Sequence, residues 1–269
     1  MEPVNTEALK RALHTRLCGQ ELEYVAEVDS TNAVLSRRAK AGAVEGTVVL
    51  ADAQTAGRGR LGKPWFSPPG VNVHLSVLLK PPVQLAEVRL LSLIGSLAVA
   101  DALATYSISA QVKWPNDVLV ADRKIAGVLT EVQTHDTTVT HLILGIGVNV
   151  NIDRPTMERV FGDAAAGATS VRDVLGKDVD RATFIALLLE KLERRYFDFL
   201  THGKQELLKE WRSRSFLGRR VSVREEDMHV EGVALDLDEE GCLLVTLDDG
   251  SSVRVREGEV QPLAHEPTR

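Results

Sequence analysis

Cysteine is nearly missing from this 269-residue chain, which has two, Cys18 and Cys242, far apart and in no C-x-x-C pair. That scarcity excludes a disulfide framework and a cysteine-built zinc site, and it predicts inert thiols in a reducing compartment. The seven histidines are scattered, with no H-x-x-x-H spacing and no cysteine neighbour. No structural or catalytic zinc is expected. Long apolar runs are lacking as well. The longest candidate, Leu90 to Ala104, is broken by Ser92, Ser96 and Asp101, and it falls short of the roughly 18 residues of a membrane span. An acidic, polar start without an apolar stretch gives no secretion signal, so a cytoplasmic location and no membrane partner are expected. There is no surplus of positive charge: the net charge is −6, and from Arg214 onward 7 basic face 13 acidic residues, leaving residues 1–213 balanced. A basic face for nucleic acid is therefore not indicated, and the acidic surplus fits a solvated surface.

What is present describes a folded α+β chain. An apolar fraction of 44% and a mean hydropathy of −0.06 suit a globular protein, and the length allows one large domain with a small satellite. Leu9, Leu13 and Leu17 recur at helical spacing and predict a helix over Thr6–Leu17. Leu22–Val28 alternates as a strand. Asp29-Ser30-Thr31-Asn32 opens a helix through Lys40, since any of these short side chains can cap its first N–H groups. Thr47–Ala51 reads as a strand, and Val71–Leu79 as a half-buried one with His74 on its polar side, in a structural role. Val88–Tyr106 predicts a long buried helix. Val112–Val120, Lys124–Gln133 and Thr138–Val150 read as strands, the last two joined at His135-Asp136. Residues 153–169, rich in glycine and alanine, are expected to be mobile. Arg181–Leu200 and Gln205–Trp211 are helical. After Arg214 come short β-runs, Arg220–Arg224, His229–Leu237, Leu243–Leu247 and Ser252–Val255, with turns at Glu240-Gly241 and Asp249-Gly250. This predicts a small SH3-like barrel or sandwich over 214–269, behind a larger unit at 21–213 and an N-terminal helix within 1–20.

Residues Gly57, Gly59 and Gly62 form a G-x-G-x-x-G. A dinucleotide fingerprint needs a helix to start at these glycines, so that its N-terminus meets the pyrophosphate. Pro64, Pro68 and Pro69 prevent one, and Leu79 and Lys80 stand where the ribose-binding acid should be. What remains is a loop with two arginines between its glycines, a composition suited to an anion. Three other segments stand out. Lys113-Trp114-Pro115-Asn116-Asp117 puts an amide and a carboxylate at a turn, Lys124-Ile125-Ala126-Gly127 starts a strand with a lysine, and Gly145-Ile146-Gly147-Val148-Asn149 ends one with glycines and an amide. Each alone also fits a solvated turn, a plain β-turn or an edge lysine.

Taken together, in this order, these segments and Asp29-Ser30-Thr31-Asn32 resemble those of the biotin protein ligases over roughly residues 20–265. The resemblance implies a class II synthetase-like α+β catalytic domain with a mixed sheet and helices, plus the SH3-like module. It implies biotin and ATP as substrates, Mg²⁺ as cofactor, and a biotin carboxyl carrier protein as partner. It makes Ser30, Thr31, Asn32, Gln54, Gly57, Arg58, Gly59, Arg60, Lys124 and Gly127 biotin or adenylate contacts, with Arg60 and Lys124 catalytic. Arg58, Arg60, Trp65, Lys113, Asn116, Asp117 and Asn149 would lie by the nucleotide, and Asp117 would hold the metal. Trp65 either walls the pocket or sits in the core.

The chemistry agrees with these residue types. Joining a carboxylate to the α-phosphate of ATP forces two anions together, and at about 4 Å with an effective dielectric near 20 the repulsion is about 4 kcal/mol. Cations must converge there, and Arg58, Arg60 and Lys124 are the candidates. The loop 57–70 is expected to close over the intermediate and exclude water. Many members of this family carry an N-terminal winged helix; about 20 residues precede the first strand here, too few for one, so no nucleic acid is expected as partner. The rival readings are a lipoate or octanoate ligase or transferase, and a non-catalytic biotin sensor or DNA-binding regulator. A homodimer is left open.

Overall fold

A seven-stranded mixed sheet carries the chain's larger part, and the computed structural model describes residues 3–136, 138–225 and 228–263. The expected end segments, 1–20 and 214–269, each include residues outside these limits. The strands are β1 (Leu22–Val28), β2 (Val48–Gln54), β3 (Val73–Leu79), β4 (Gln111–Lys113), β5 (Asp117–Val120), β6 (Arg123–His135) and β7 (Thr138–Val148), in the order β1-β2-β3-β7-β6-β5-β4. Only β1 and β2 run parallel, joined by helix α2 (Thr31–Lys40); every other pair in the sheet is antiparallel.

Both faces of this sheet are covered. On one face, α1 (Thr6–Ala12), the long α3 (Val88–Thr105), α6 (Arg181–His202) and α7 (Lys204–Arg214) bury Leu50, Leu75, Val77, Leu144 and Ile146 in the main core. On the other, α2 buries Val34 and Leu35 against Val49, Leu78 and Ile143. The strand expected to be half-buried, β3, is therefore buried along its whole length. Alternation in Val73–Leu79 marks two different buried environments, an apolar one and a polar one under α2.

Three further expectations need correcting. Helix α1 stops at Ala12 rather than Leu17, because the N–H groups of Arg16, Leu17 and Cys18 donate to the Glu193 carboxylate at 2.7, 2.6 and 2.9 Å instead of to helix carbonyls. The strand expected over Val112–Val120 is two, β4 and β5, parted by the Trp114-Pro115-Asn116 turn that lets them pair with each other. Residues 153–169 fold: Asp153 caps α4 (Arg154–Phe161), a proline sits in its first turn, and a 3₁₀ stretch spans Gly162–Gly167. Arg154 ties that segment together by donating to the carbonyls of Ala165 and Ala168. A short helix α5 (Val171–Leu175) follows.

The C-terminal module is a five-stranded antiparallel sheet of β8 (Arg220–Glu225), β9 (Met228–Leu237), β10 (Leu243–Thr246), β11 (Ser252–Val255) and β12 (Glu259–Pro262), in the order β11-β10-β9-β8-β12. Among the described residues it runs from β11 to β12 without closing on itself. Its last strand carried no apolar alternation and was absent from the expected set. The buried Trp114 indole joins the two sheets by donating from Nε1 to the Gly241 carbonyl at 2.9 Å. This module brings β12 to the edge of the cavity, where Gly258, Glu259 and Val260 line it.

Candidate active site

Glycine makes the cavity possible. One row across the sheet reads Asp117 on β5, Gly127 on β6, Gly147 on β7 and His74 on β3, each opposite the next. The next row pairs Leu129, Gly145 and Ser76. A Cβ at Gly147 would lie 2.5 Å from the Trp65 indole, and one at Gly145 would lie 2.3 Å from Asn32 Oδ1. Any side chain there would evict a cavity wall.

Over these rows lies a cavity of about 340 Å³. Of the residues expected at the site, it is lined by Ser30, Thr31, Asn32, Gln54, Arg58, Gly59, Arg60, Trp65, Lys113, Asn116, Asp117, Lys124, Gly127 and Asn149. Gly57 is the exception. Its carbonyl accepts from Trp65 N at 2.8 Å, and a Cβ there would meet Trp65 O at 2.6 Å. It lets the loop fold back on itself, outside the set of residues that line the cavity. Trp65 walls the cavity, lying over Gly147 with Lys124 Nζ 5.4 Å from its ring centre.

Five cations, Arg58, Arg60, Lys63, Lys113 and Lys124, line the cavity against two carboxylates, Asp117 and Glu259. In a chain of net charge −6, this local excess selects an anion. Lys124 Nζ lies 2.5 Å from Asp117 Oδ1, and Lys113 Nζ lies 3.4 Å from Oδ2. Asp117 thus has an ammonium at each oxygen, which does not suit it to hold Mg²⁺ by itself. Among the described residues no group of three or more metal-ligating side chains exists. Magnesium fits this site only as part of a nucleotide substrate, carried on its phosphates.

At the opposite end, the start of α2 is bonded in an unexpected way. Ser30 occupies the cap position but makes no capping bond; Gln54 Oε1, from β2, accepts from Thr31 N at 2.9 Å instead. Gln54 Nε2 donates to Ser67 Oγ. Asn32 accepts from Ser76 Oγ at 2.6 Å and donates to Glu131 Oε2 at 2.8 Å. Asn116 and Asn149 are also tied into the frame, donating to the carbonyls of Val128 and Thr169.

Several residues here were missed in the sequence. Glu131 pairs with Arg58 at 3.1 Å as well as with Asn32; its place two steps beyond Gly127 and Leu129 on one face of β6 was the available signal. Glu259 and Gly258 come from the far C-terminal module. Lys63 Nζ lies 2.6 Å from Glu259, Arg60 donates to Gly258 O, and Lys113 donates to Val260 O. The Lys63 ammonium bonded to Glu259 holds its carboxyl below the usual carboxylate range. Phe161, Ala164, Gly167 and Ala168 close another side.

His74 was read as structural, yet it lines the cavity. Burial, reinforced by the Arg181 cation and opposed by Asp52, pushes its pKa down to about 3. An unfolded chain takes up this proton near pH 6.5 and the folded one near 3, so acidification through that window favours unfolding. Between pH 6.5 and 5.5 the expected loss is about 1 kcal/mol. Denaturant titrations at the two values should show it in the native chain and not in His74→Phe; an equal loss in both would sink the assignment.

The model of the biotin/lipoate A/B protein ligase family matches residues 24–149, and that of the biotin protein ligase C-terminal domain matches residues 216–261. The chain is 35% identical over 266 residues to a biotin–[acetyl-CoA-carboxylase] ligase of Mycobacterium tuberculosis, spanning 93% of this chain and 94% of that one. It is also 35% identical over 244 residues to the bifunctional ligase/repressor BirA of Bacillus subtilis, spanning 90% of this chain and 74% of that one. Among solved structures, a biotin protein ligase from Aquifex aeolicus in complex with biotin and ATP superimposes with a TM-score of 0.75 at 30% identity, covering 90% of this chain and 98% of that one.

Proposed function

The chain belongs to the biotin protein ligase family, and on that premise we propose that it joins biotin to AMP and passes the biotinyl group to a lysine of a biotin carboxyl carrier protein. In the first step a biotin carboxylate oxygen attacks the α-phosphorus of MgATP and pyrophosphate leaves. In the second, the carrier lysine's amine attacks the acyl carbon, the bond from that carbon to the phosphate oxygen breaks, and AMP leaves. The observation that carries this reading is the cavity itself, where five cations gather over a floor of glycines with Lys124 and Asp117 at one end. Two anions can be brought together only where their repulsion is offset, and preorganised cations do so without reorganising during the step.

Lys124 is the cation for the reacting carboxylate and phosphate, because Asp117 and the Trp65 ring fix it from two sides. Arg58 and Arg60, on the Gly-Arg loop, take the oxygens of the mixed anhydride. Lys113, Asn116 and Asn149 frame the nucleotide end. Loop and β12 together shield the anhydride from water. The carrier of an acetyl-CoA carboxylase is the partner that the M. tuberculosis relative's name suggests. A lipoate ligase would share the first family model, whereas the match of the C-terminal module favours biotin.

Biotin-dependent exchange of pyrophosphate into ATP tests the proposal. Exchange with lipoate or octanoate and none with biotin would overturn it. Ser30 gives a finer check, since its hydroxyl caps nothing. Ser30→Ala should weaken biotin binding by about 1 kcal/mol, roughly fivefold, and leave Tm in place. Unchanged affinity with a lower Tm would return Ser30 to a purely structural role.

A further inference from the structure

Two of the amides expected to contact biotin, Gln54 and Asn32, are engaged already. Gln54 gives its oxygen to Thr31 and its amide N–H to Ser67; Asn32 gives its oxygen to Ser76 and its N–H to Glu131. Their bonding holds the frame rigid. His74 is the opposite case. It is 1% exposed and lines the cavity, yet among the described residues neither ring nitrogen has a partner. Buried polar groups in folded proteins are almost always paired, so an exception in a cavity wall calls for a partner, and a ligand entering the cavity can supply one.

His74 also stands at a telling place. The floor runs from Asp117 through Gly127 and Gly147 to His74, three strand spacings or about 14 Å. The reacting end lies at Lys124, beside Asp117, so the opposite end receives the part of the acid farthest from its carboxyl. We propose that His74 is a specificity-determining residue that hydrogen-bonds the cyclic urea of the substrate at the end of the floor remote from Lys124. This rests on the biotin reading. One ring nitrogen faces the ligand, and the tautomer decides whether it donates to the urea C=O or accepts from a urea N–H. Both nitrogens are closed off from solvent in this conformation, so the ligand reaches one of them as the wall shifts. Trp65, whose indole lies over Gly147 directly across the ladder from His74 and whose Nε1 is likewise buried without a partner, forms that wall.

The test uses the full chain, pyrophosphate exchange and thermal unfolding. His74→Phe should raise the KM for biotin about 10-fold, equivalent to about 1.4 kcal/mol, with kcat within about twofold. Its Tm should hold or rise, because an apolar ring replaces buried polar atoms that lack partners. His74→Gln keeps a donor and an acceptor, and its KM should stay within about threefold of the native value. If His74→Phe does not fold, His74→Leu is read by the same criteria. An unchanged biotin KM in the apolar variant overturns the proposal, as does a raised KM accompanied by a fall in Tm, or a glutamine variant as impaired as the phenylalanine one. No biotin-dependent exchange by the native chain overturns the functional reading itself, and this proposal with it.

Discussion

Lys124→Ala is expected to slow biotin-dependent pyrophosphate exchange by about 10²- to 10³-fold, the usual consequence of removing one preorganised group that stabilises developing charge. The lysine is the second residue of β6, and its ammonium is held between Asp117 and the face of Trp65. A rigid cation at the meeting point of carboxylate and phosphate contributes most in the transition state, when the two anions are closest. Alanine removes that charge and also leaves Asp117 with Lys113 as its remaining lysine, at 3.4 Å. With one ammonium fewer beside it, the carboxylate then adds repulsion at the worst place. Biotin binding measured by calorimetry should change far less than the rate, because the ring system is held elsewhere. Exchange within tenfold of the native rate would remove Lys124 from the chemical step.

Arg60→Gly should fail differently. Arg60 opens the 3₁₀ turn Arg60–Gly62 of the Gly-Arg loop, and its guanidinium reaches the Gly258 carbonyl of the C-terminal module at 3.3 Å. It belongs to the closing wall rather than to the rigid sheet. A charge-assisted hydrogen bond contributes about 1.5–3 kcal/mol, so the variant should still form the adenylate but release it about 10- to 100-fold faster. The freed anhydride would then acylate lysines on bystander proteins. Arg60→Lys should restore retention only in part, since a point charge does not reproduce the guanidinium fork. Rapid mixing gives the off-rate, and a blot for biotin gives the bystander labelling. Loss of adenylate synthesis as complete as that of Lys124→Ala would erase the distinction between the two cations.

How far the site could be read beforehand depended on the range of each interaction. The Gly-Arg loop, the Lys-Trp-Pro-Asn-Asp turn and the two glycine-bearing strands announce themselves locally, because backbone freedom and short polar turns leave marks within a few residues. Fourteen of the expected residues meet at one cavity. The role of Gln54 as the cap of α2 was invisible, because that bond joins two elements through a fold not yet formed. His74 looked like the polar side of a half-exposed strand until α2 and the cavity wall covered that side. Glu259 could not be found at all, since its strand lacks apolar alternation and its partners lie almost two hundred residues away in sequence. Proximity of that kind is created by the docking of one module on another. The turn at Trp114-Pro115-Asn116 was legible, yet the apolar residues on either side of it still read as one strand, because its role in pairing β4 with β5 depends on the sheet they join.

The docking of β12 at the edge of the cavity also sets a timetable for biosynthesis. Ribosomes deliver the chain from its N-terminus, and the strands that form the cavity floor emerge well before Gly258, Glu259 and Val260, which complete its wall. A nascent chain can therefore fold its sheet, and offer the floor to a small molecule, before it can enclose one. Pairing across so great a separation carries a large loop-closure cost and comes late in folding. The chain gains the means to retain a reactive intermediate only once residues 258–260 have been made, so a product that stops before them is poorly equipped to hold one.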